Sequence, residues 1–275
     1  MAEVVTRRRA TKARHDALVA LVREGVASVE TLAARAGVSP STVRRDLKQL
    51  QDEGRIARTY GGAMAREGFH ERSFGESQLL NREAKEAIAE AAAELVGPGA
   101  VVFLDAGTTC LALARRLTER GPLTVVTRGL EAALLLARAP DLDVVLVGGQ
   151  VQPLSHGLVG PLASLAFERL TFDIAFLGAD VVDPARGLGE PTSDETYVKE
   201  QAAARAENVV VLADASKLGE AGVTAWLPFD QSWTLMTDAG ADASTVAAFE
   251  ERDLRVVVAP REPIGPEVAR SSGTG

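Results

Sequence analysis

Residues 28–50 read SVETLAARAGVSPSTVRRDLKQL, and this stretch decides how the N-terminal part of the chain folds. Ser28 is suited to cap a short helix over Val29 to Ala36, with Leu32, Ala33 and Ala36 as its apolar stripe. Gly37 makes the turn, because glycine enters the left-handed region without strain. Ser39 is a good N-cap. Pro40 fits the first helical position, where its missing N–H would be unpaired anyway, so a third helix runs to about Asp52. Val43, Leu47 and Leu50 recur at i, i+4 and i+7 and pack inward.

The opposite face of that helix presents Ser41, Thr42, Arg44, Arg45 and Lys48, beside Ser39 at its start. Short side chains let a backbone approach DNA, arginine grips guanine N7 and O6 bidentately, and Lys48 suits a phosphate. Taken alone, these charges are equally the solvated face of an amphipathic helix. Their setting separates the two readings. Upstream, His15 to Glu24 places Leu18, Leu21 and Val22 at helical spacing before Gly25. Downstream of Gly54, Arg55 to Tyr60 alternates and ends at Gly61-Gly62, a hairpin carrying Arg58. Three helices and a basic hairpin make a winged helix-turn-helix that reads double-stranded DNA. Arg7, Arg8 and Arg9 are either an arm for the duplex backbone or a solvated terminus.

Charge supports the division. The net charge is −8, yet residues 1–60 hold 12 Lys and Arg against 7 Asp and Glu, so a basic head of +5 sits on a body of −13. Apolar residues at 46% and charged residues at 25% are those of a globular protein. Cys110 is the single cysteine, which excludes a disulfide framework and a multi-cysteine zinc site within one chain and points to a reducing compartment. The longest apolar stretch, near Leu130 to Ala137, is far shorter than the roughly 20 residues of a membrane span. No secretory signal is expected behind the arginines. The expectation is a cytoplasmic, nucleoid-associated protein with no membrane partner, metal or cofactor.

Gly37-Val38-Ser39 through Thr42-Val43-Arg44-Arg45-Asp46-Leu47, then Gly54, Arg58 and Gly61-Gly62-Ala63, resembles the N-terminal motif of DeoR-type repressors. This pattern constrains residue types over more than twenty positions.

Met64 to Asn81 is polar and glycine-dotted and reads as a linker, after which Arg82 opens a helix through Lys85, Ile88 and Leu95. Short apolar runs then alternate with helical stretches: Val101 to Leu104, Leu123 to Val126, Val144 to Val147, Ile174 to Leu177, Val209 to Leu212, Trp233 to Met236 and Leu254 to Val258. Such alternation implies crossovers and a mostly parallel sheet, an α/β domain over 82–260 after a head at 1–63 and a linker at 64–81. Residues 261–275, rich in Pro, Gly and Ser, read as a disordered tail.

Parallel sheets bind ligands at the carboxyl ends of their strands. Asp105-Ala106-Gly107-Thr108-Thr109 ends the first run where a helix begins, a place for a phosphate or for an ordinary capped turn. The dinucleotide glycine fingerprint and the P-loop are absent. Other run ends supply Thr127-Arg128, Gly148-Gly149, Asp180, and Asp214 with Lys217, which offer close backbone approach, cations for phosphate and carboxylates for hydroxyls. Glu195 and Lys199 stand four apart on a helix, as a surface ion pair would.

The DeoR resemblance extends to about Asp238, through Asp105, Gly107-Thr108-Thr109, Gly148-Gly149, Glu195 with Lys199, and Asp214 with Ser216-Lys217. It implies a fold similar to ribose-5-phosphate isomerase and CoA transferases, used to sense a small phosphorylated metabolite. Thr127-Arg128 departs from the Thr-Asn common in that family, which implies different polar contacts to the ligand. The function expected is a ligand-controlled repressor acting as a homo-oligomer, dimer or tetramer, on operator half-sites. Two alternatives stand: an activator, or a sugar-phosphate isomerase with a fused DNA-binding head, in which Glu195 is the base and Lys217 stabilises an enediolate. The first expectation assigns no catalytic residue.

Overall fold

The computed structural model describes residues 14–19, 21, 28–52, 56–59, 62–65, 72–219, 222–230 and 232–260. The chain forms two compact units, Met1–His70 and Glu71–Gly275. In the first, residues 14–19 and 21 are helical; the rest of the stretch expected to reach Glu24, the Arg7 to Arg9 run and the tail 261–275 lie outside the described residues.

Helix α1, Val29–Ala36, begins at Ser28, whose side chain accepts from Thr31 N, and ends at Gly37 in the left-handed region at φ 66° and ψ 30°. Helix α2 follows over Pro40–Asp52. Their apolar faces meet in a small core of Leu18, Val19, Leu32, Ala33, Val43, Leu47 and Leu50. Nothing lies within 4 Å of a Cβ built on Gly37, so its role is conformational. Gly37→Ala is therefore expected to destabilise by about 1–2 kcal/mol through left-handed strain alone, seen as a lower thermal midpoint with unchanged helix content. Strands β1, Ile56–Thr59, and β2, Gly62–Ala65, pair antiparallel with Thr59 opposite Gly62 and Ile56 opposite Ala65. The hairpin thus continues into the stretch assigned to the linker.

That stretch also contains helix α3, Phe74–Leu79, with a capping box in which Ser73 and Glu76 satisfy each other's backbone N–H groups. The linker reading is corrected here. Six residues are too few to display a period, so the cap and the buried Phe74 are the only local signals. Helix α4 is Arg82–Ala93.

The second unit is built on seven strands: β3 (Val101–Leu104), β4 (Leu123–Thr127), β5 (Leu142–Leu146), β8 (Phe172–Gly178), β11 (Ala206–Leu212), β13 (Thr234–Asp238) and β14 (Arg255–Ala259). Every pairing among them is parallel, in the order β14-β13-β11-β8-β3-β4-β5. The chain winds outward from β3 in one direction and from β8 in the other, so those two neighbours flank the switch point.

Alternate residues face opposite ways along each strand. Val102, Leu104, Val125, Ile174 and Phe176 pack on one face, with Ile88 of α4 and Leu113 and Leu117 of helix α5, Thr108–Leu117. Phe103, Val126, Ala175, Leu177 and Val211 pack on the other, with Phe167 of helix α7 (Pro161–Phe167), Val198 of helix α8 (Ser193–Ala203) and Phe249 of helix α9 (Ala243–Glu250). Helix α6, Leu130–Leu136, adds Ala132 and Leu136 to the first layer. Two small antiparallel sheets, β6–β7 (Gln150–Val151, Leu158–Val159) and β12-β10-β9 (Ala225–Leu227, Gly187–Glu190, Val181–Asp183), lie outside the expected strands. Each strand is only two to four residues long, below the length at which alternation is readable.

Candidate functional site

At the switch point, Asp105 leaves β3 fully buried, with both carboxylate oxygens occupied. Oδ1 accepts from Ala106 N at 2.7 Å and from Arg128 Nε; Oδ2 accepts from Gly178 N at 3.0 Å and from Lys199 Nζ. Lys199 Nζ also donates to Gly178 O at 2.8 Å and lies 3.1 Å from Glu190 Oε1. Burial opposes the charge on Asp105, but the Arg128 and Lys199 cations beside it hold its carboxyl below the usual range. For Lys199 burial also opposes the charge, and Asp105 and Glu190 outweigh it, so the ammonium is held above its usual value.

Above this cluster, Gly107 takes φ 104° to turn β3 into α5, whose start lacks a side-chain cap. The first N–H groups of a helix have no partner within it and favour an anion. Gly107, Thr108 and Thr109 line a cleft. The same cleft is lined by Lys217, paired to Asp180 at 2.9 Å, and by Asp214, which accepts from Asn81 Nδ2 at 2.8 Å. Lys85 donates to the carbonyls of Ser77 and Leu80, and burial lowers its ammonium. Glu195 takes a hydrogen bond from Ser155 Oγ at 3.0 Å and from Thr192 Oγ1 at 2.9 Å. Burial pushes the Cys110 thiol far up, so it stays neutral under the cleft.

The structure therefore brings Gly107, Thr108, Thr109, Arg128 and Asp180 to one cleft with Glu195, Lys199, Asp214 and Lys217, and sets Asp105 beneath. The surface-pair reading of Glu195 and Lys199 is corrected: both are 2% exposed and each bonds a different group. Gly148 and Gly149 do not line the cleft. Gly149 stands at φ 134°, and a Cβ there would meet Val159 O at 2.3 Å, so glycine lets β6 and β7 approach. Asn81, Lys85, Ser155 and Glu190 line the cleft without having been singled out. They come from the start of the helix that precedes the parallel sheet, a loop and a short antiparallel strand, where a search of parallel-strand ends does not look.

Burial pushes the Glu190 carboxyl up to about 8 against the pull of Lys199. Its folded value exceeds its unfolded one, so this contribution to stability is full below about pH 4.5 and fades as pH rises to about 8. Glu190→Gln should lose less of its thermal midpoint than the parent across that window. Equal slopes would show that Glu190 is charged in the fold.

In the first unit, Ser39 Oγ accepts from Thr42 N at 3.2 Å and lies 2.8 Å from Ser41 Oγ, so its hydroxyl serves the cap. Ser41, Arg44, Arg45 and Lys48 are exposed on α2 with Thr42 half-buried among them. Asp46, on the inner side, accepts from Arg14 at 2.6 and 3.2 Å and lies 3.3 Å from His15 Nε2. Burial opposes its charge, and the Arg14 hydrogen bond followed by His15 brings its carboxyl below the usual range. This bond ties the first helical segment to α2 and was not anticipated. The Arg58 side chain lies outside the described residues. Among the described residues no helix is long and apolar enough to cross a membrane, and no His, Cys, Asp and Glu group is placed to hold a metal ion.

Two family models match: a DeoR-like helix-turn-helix domain over residues 14–68 and a DeoR C terminal sensor domain over residues 80–239. The chain is 37% identical over 231 residues to the HTH-type transcriptional regulator GlpR of Haloferax volcanii, covering 84% of this chain and 90% of that protein. It is 28% identical over 244 residues to the glycerol-3-phosphate regulon repressor of Escherichia coli (strain K12), covering 88% and 97%. Among solved structures, ribose 5-phosphate isomerase A from Methanocaldococcus jannaschii is 24% identical over 50% of this chain and 55% of that one, with a TM-score of 0.39.

Proposed function

The chain belongs to the DeoR family of transcriptional regulators, and on that premise we propose that it is a repressor that leaves its operator when a small phosphorylated metabolite enters the cleft. The observation that carries the sensor half is the uncapped start of α5 opening onto a cleft that Lys217 and Arg128 also line. Phosphate meets N–H groups and cations there, and Asp180 and Asp214 suit the hydroxyls of a sugar or polyol. The reader half is α2, whose Arg44, Arg45 and Lys48 face outward from a well-packed three-helix core. The protein works as a homo-oligomer in the cytoplasm, since one reading helix per copy matches paired half-sites.

Coupling between the sites is reciprocal: a metabolite that weakens DNA binding binds the DNA-bound protein more weakly by the same factor. The test is a titration of the protein against its own upstream DNA at two salt concentrations, with and without a panel of phosphorylated sugars and polyols. Specific binding released by one compound is expected. Specific binding that no compound alters would sink the sensor half, and sustained turnover of a compound, lost in Glu195→Ala, would favour an enzyme.

Arg45→Ala is expected to weaken operator binding by about 1–3 kcal/mol and to relax preference at one base position. If affinity, preference and salt slope are all unchanged, α2 is not the reading helix.

A further inference from the structure

We propose that the effector carries an acidic group in addition to its phosphate, and that Arg128 receives it on the side of its guanidinium that lacks a partner. This rests on the sensor reading above and narrows it. Arg128 lines the cleft at 2% exposure, and only its Nε, donating to Asp105, meets an acceptor among the described residues. Nη1 is buried with no partner. A buried donor left without an acceptor is unfavourable, and on a charged group more so, so its persistence calls for an acceptor that the ligand supplies.

A Cβ on Gly157 would fall 2.4 Å from Nη1 and 2.9 Å from the Ala106 Cβ, so glycine there leaves the guanidinium its room. The other buried cations are engaged: Lys199 with Asp105, the Gly178 carbonyl and Glu190, and Lys85 with two carbonyls. Lys217 also lines the cleft, where it stays about a quarter exposed beside Asp180. Phosphate is thus served by the α5 start and Lys217, and the Arg128 fork is left for a second acid. A planar fork with two parallel N–H groups suits a carboxylate, and a second phosphate presents the same acceptor pair. An asparagine at this position would offer a neutral amide suited to a hydroxyl or carbonyl. The ligand class is therefore a phosphorylated sugar acid, or its bisphosphate counterpart, in preference to a simple phosphosugar.

The experiment compares matched probes on the full chain by calorimetry and by release of bound DNA: 6-phosphogluconate against glucose 6-phosphate, 3-phosphoglycerate against glycerol 3-phosphate, and fructose 1,6-bisphosphate against fructose 6-phosphate. The doubly acidic member of at least one pair should bind about 10- to 100-fold more tightly, the factor for a charged hydrogen-bonded contact. Which pair responds tells carboxylate from phosphate. Arg128→Asn should erase that preference, so that the doubly and singly acidic members of the responding pair bind alike. The parent comparison decides even if the variant does not fold. Equal affinities within every pair, or a preference that survives in Arg128→Asn, would overturn the proposal and leave the sensor reading standing. Failure of all six probes to bind would overturn the sensor reading and this inference with it.

Discussion

Asp105→Ala is expected to lose about 3–5 kcal/mol of stability, because removing one member of a buried ion cluster leaves the others uncompensated. Arg128 and Lys199 would then face each other at 2% exposure with no carboxylate between them. The N–H groups of Ala106 and Gly178 would lose their acceptor as well. Urea unfolding read by circular dichroism measures this directly, provided the slope with denaturant is unchanged. The sign with pH follows from the carboxyl being held below its ordinary 3.8. Its contribution is present above that value and lost as pH falls through the lower folded value, so the deficit of the variant shrinks in acid. A deficit below about 1 kcal/mol at neutral pH would mean that the two cations are satisfied without Asp105.

The same titration on Phe103→Ala should give a loss of similar size, about 3–5 kcal/mol, from a wholly different source. Phe103 is fully buried, edge-on to Phe167 at 5.4 Å between ring centroids and tilted against Phe172 at 5.5 Å. Truncation removes apolar contact area and leaves a cavity that a seven-stranded sheet and helix α7 cannot collapse around. No charge is involved, so this deficit should hold steady over the pH range in which that of Asp105→Ala shrinks. A Phe103→Ala loss that varied with pH in the same way would show that the aromatic packing and the ion cluster are one cooperative element.

Local rules made the head legible. Ser28, Gly37, Ser39 and Pro40 act through caps and backbone preferences that need no tertiary context, and α1 and α2 have the expected bounds. All seven strands of the large sheet overlap the apolar runs, and the inner ones do so because strands buried on both faces are continuous in hydrophobicity. The reading weakened where contacts are long-range. Helix α3 is too short to show a period, and Gly148-Gly149 looked like a ligand turn although it serves the approach of two strands. Spacing on a helix placed Glu195 and Lys199 on one face without saying whether that face is wet or buried. Asn81 and Lys85 precede every strand of the seven-stranded sheet, so only the folded chain reveals that they reach the cleft.

The Asp105 cluster also constrains how the protein comes into being. Its partners Arg128, Gly178 and Lys199 stand 23, 73 and 94 residues further along the chain. Closing such long loops is slow and is rewarded only once the sheet has assembled across them. A nascent chain that has emerged as far as β8 holds the acid and its arginine, yet lacks the lysine delivered by α8. Such a fragment has no finished cleft, so a ligand that binds there would not template folding from its early stages. A ligand of the cleft would act only on chains already closed through α8, which it would protect from unfolding and proteolysis by mass action. Synthesised in a cell rich in its ligand, the regulator would therefore fold no faster, but would last longer.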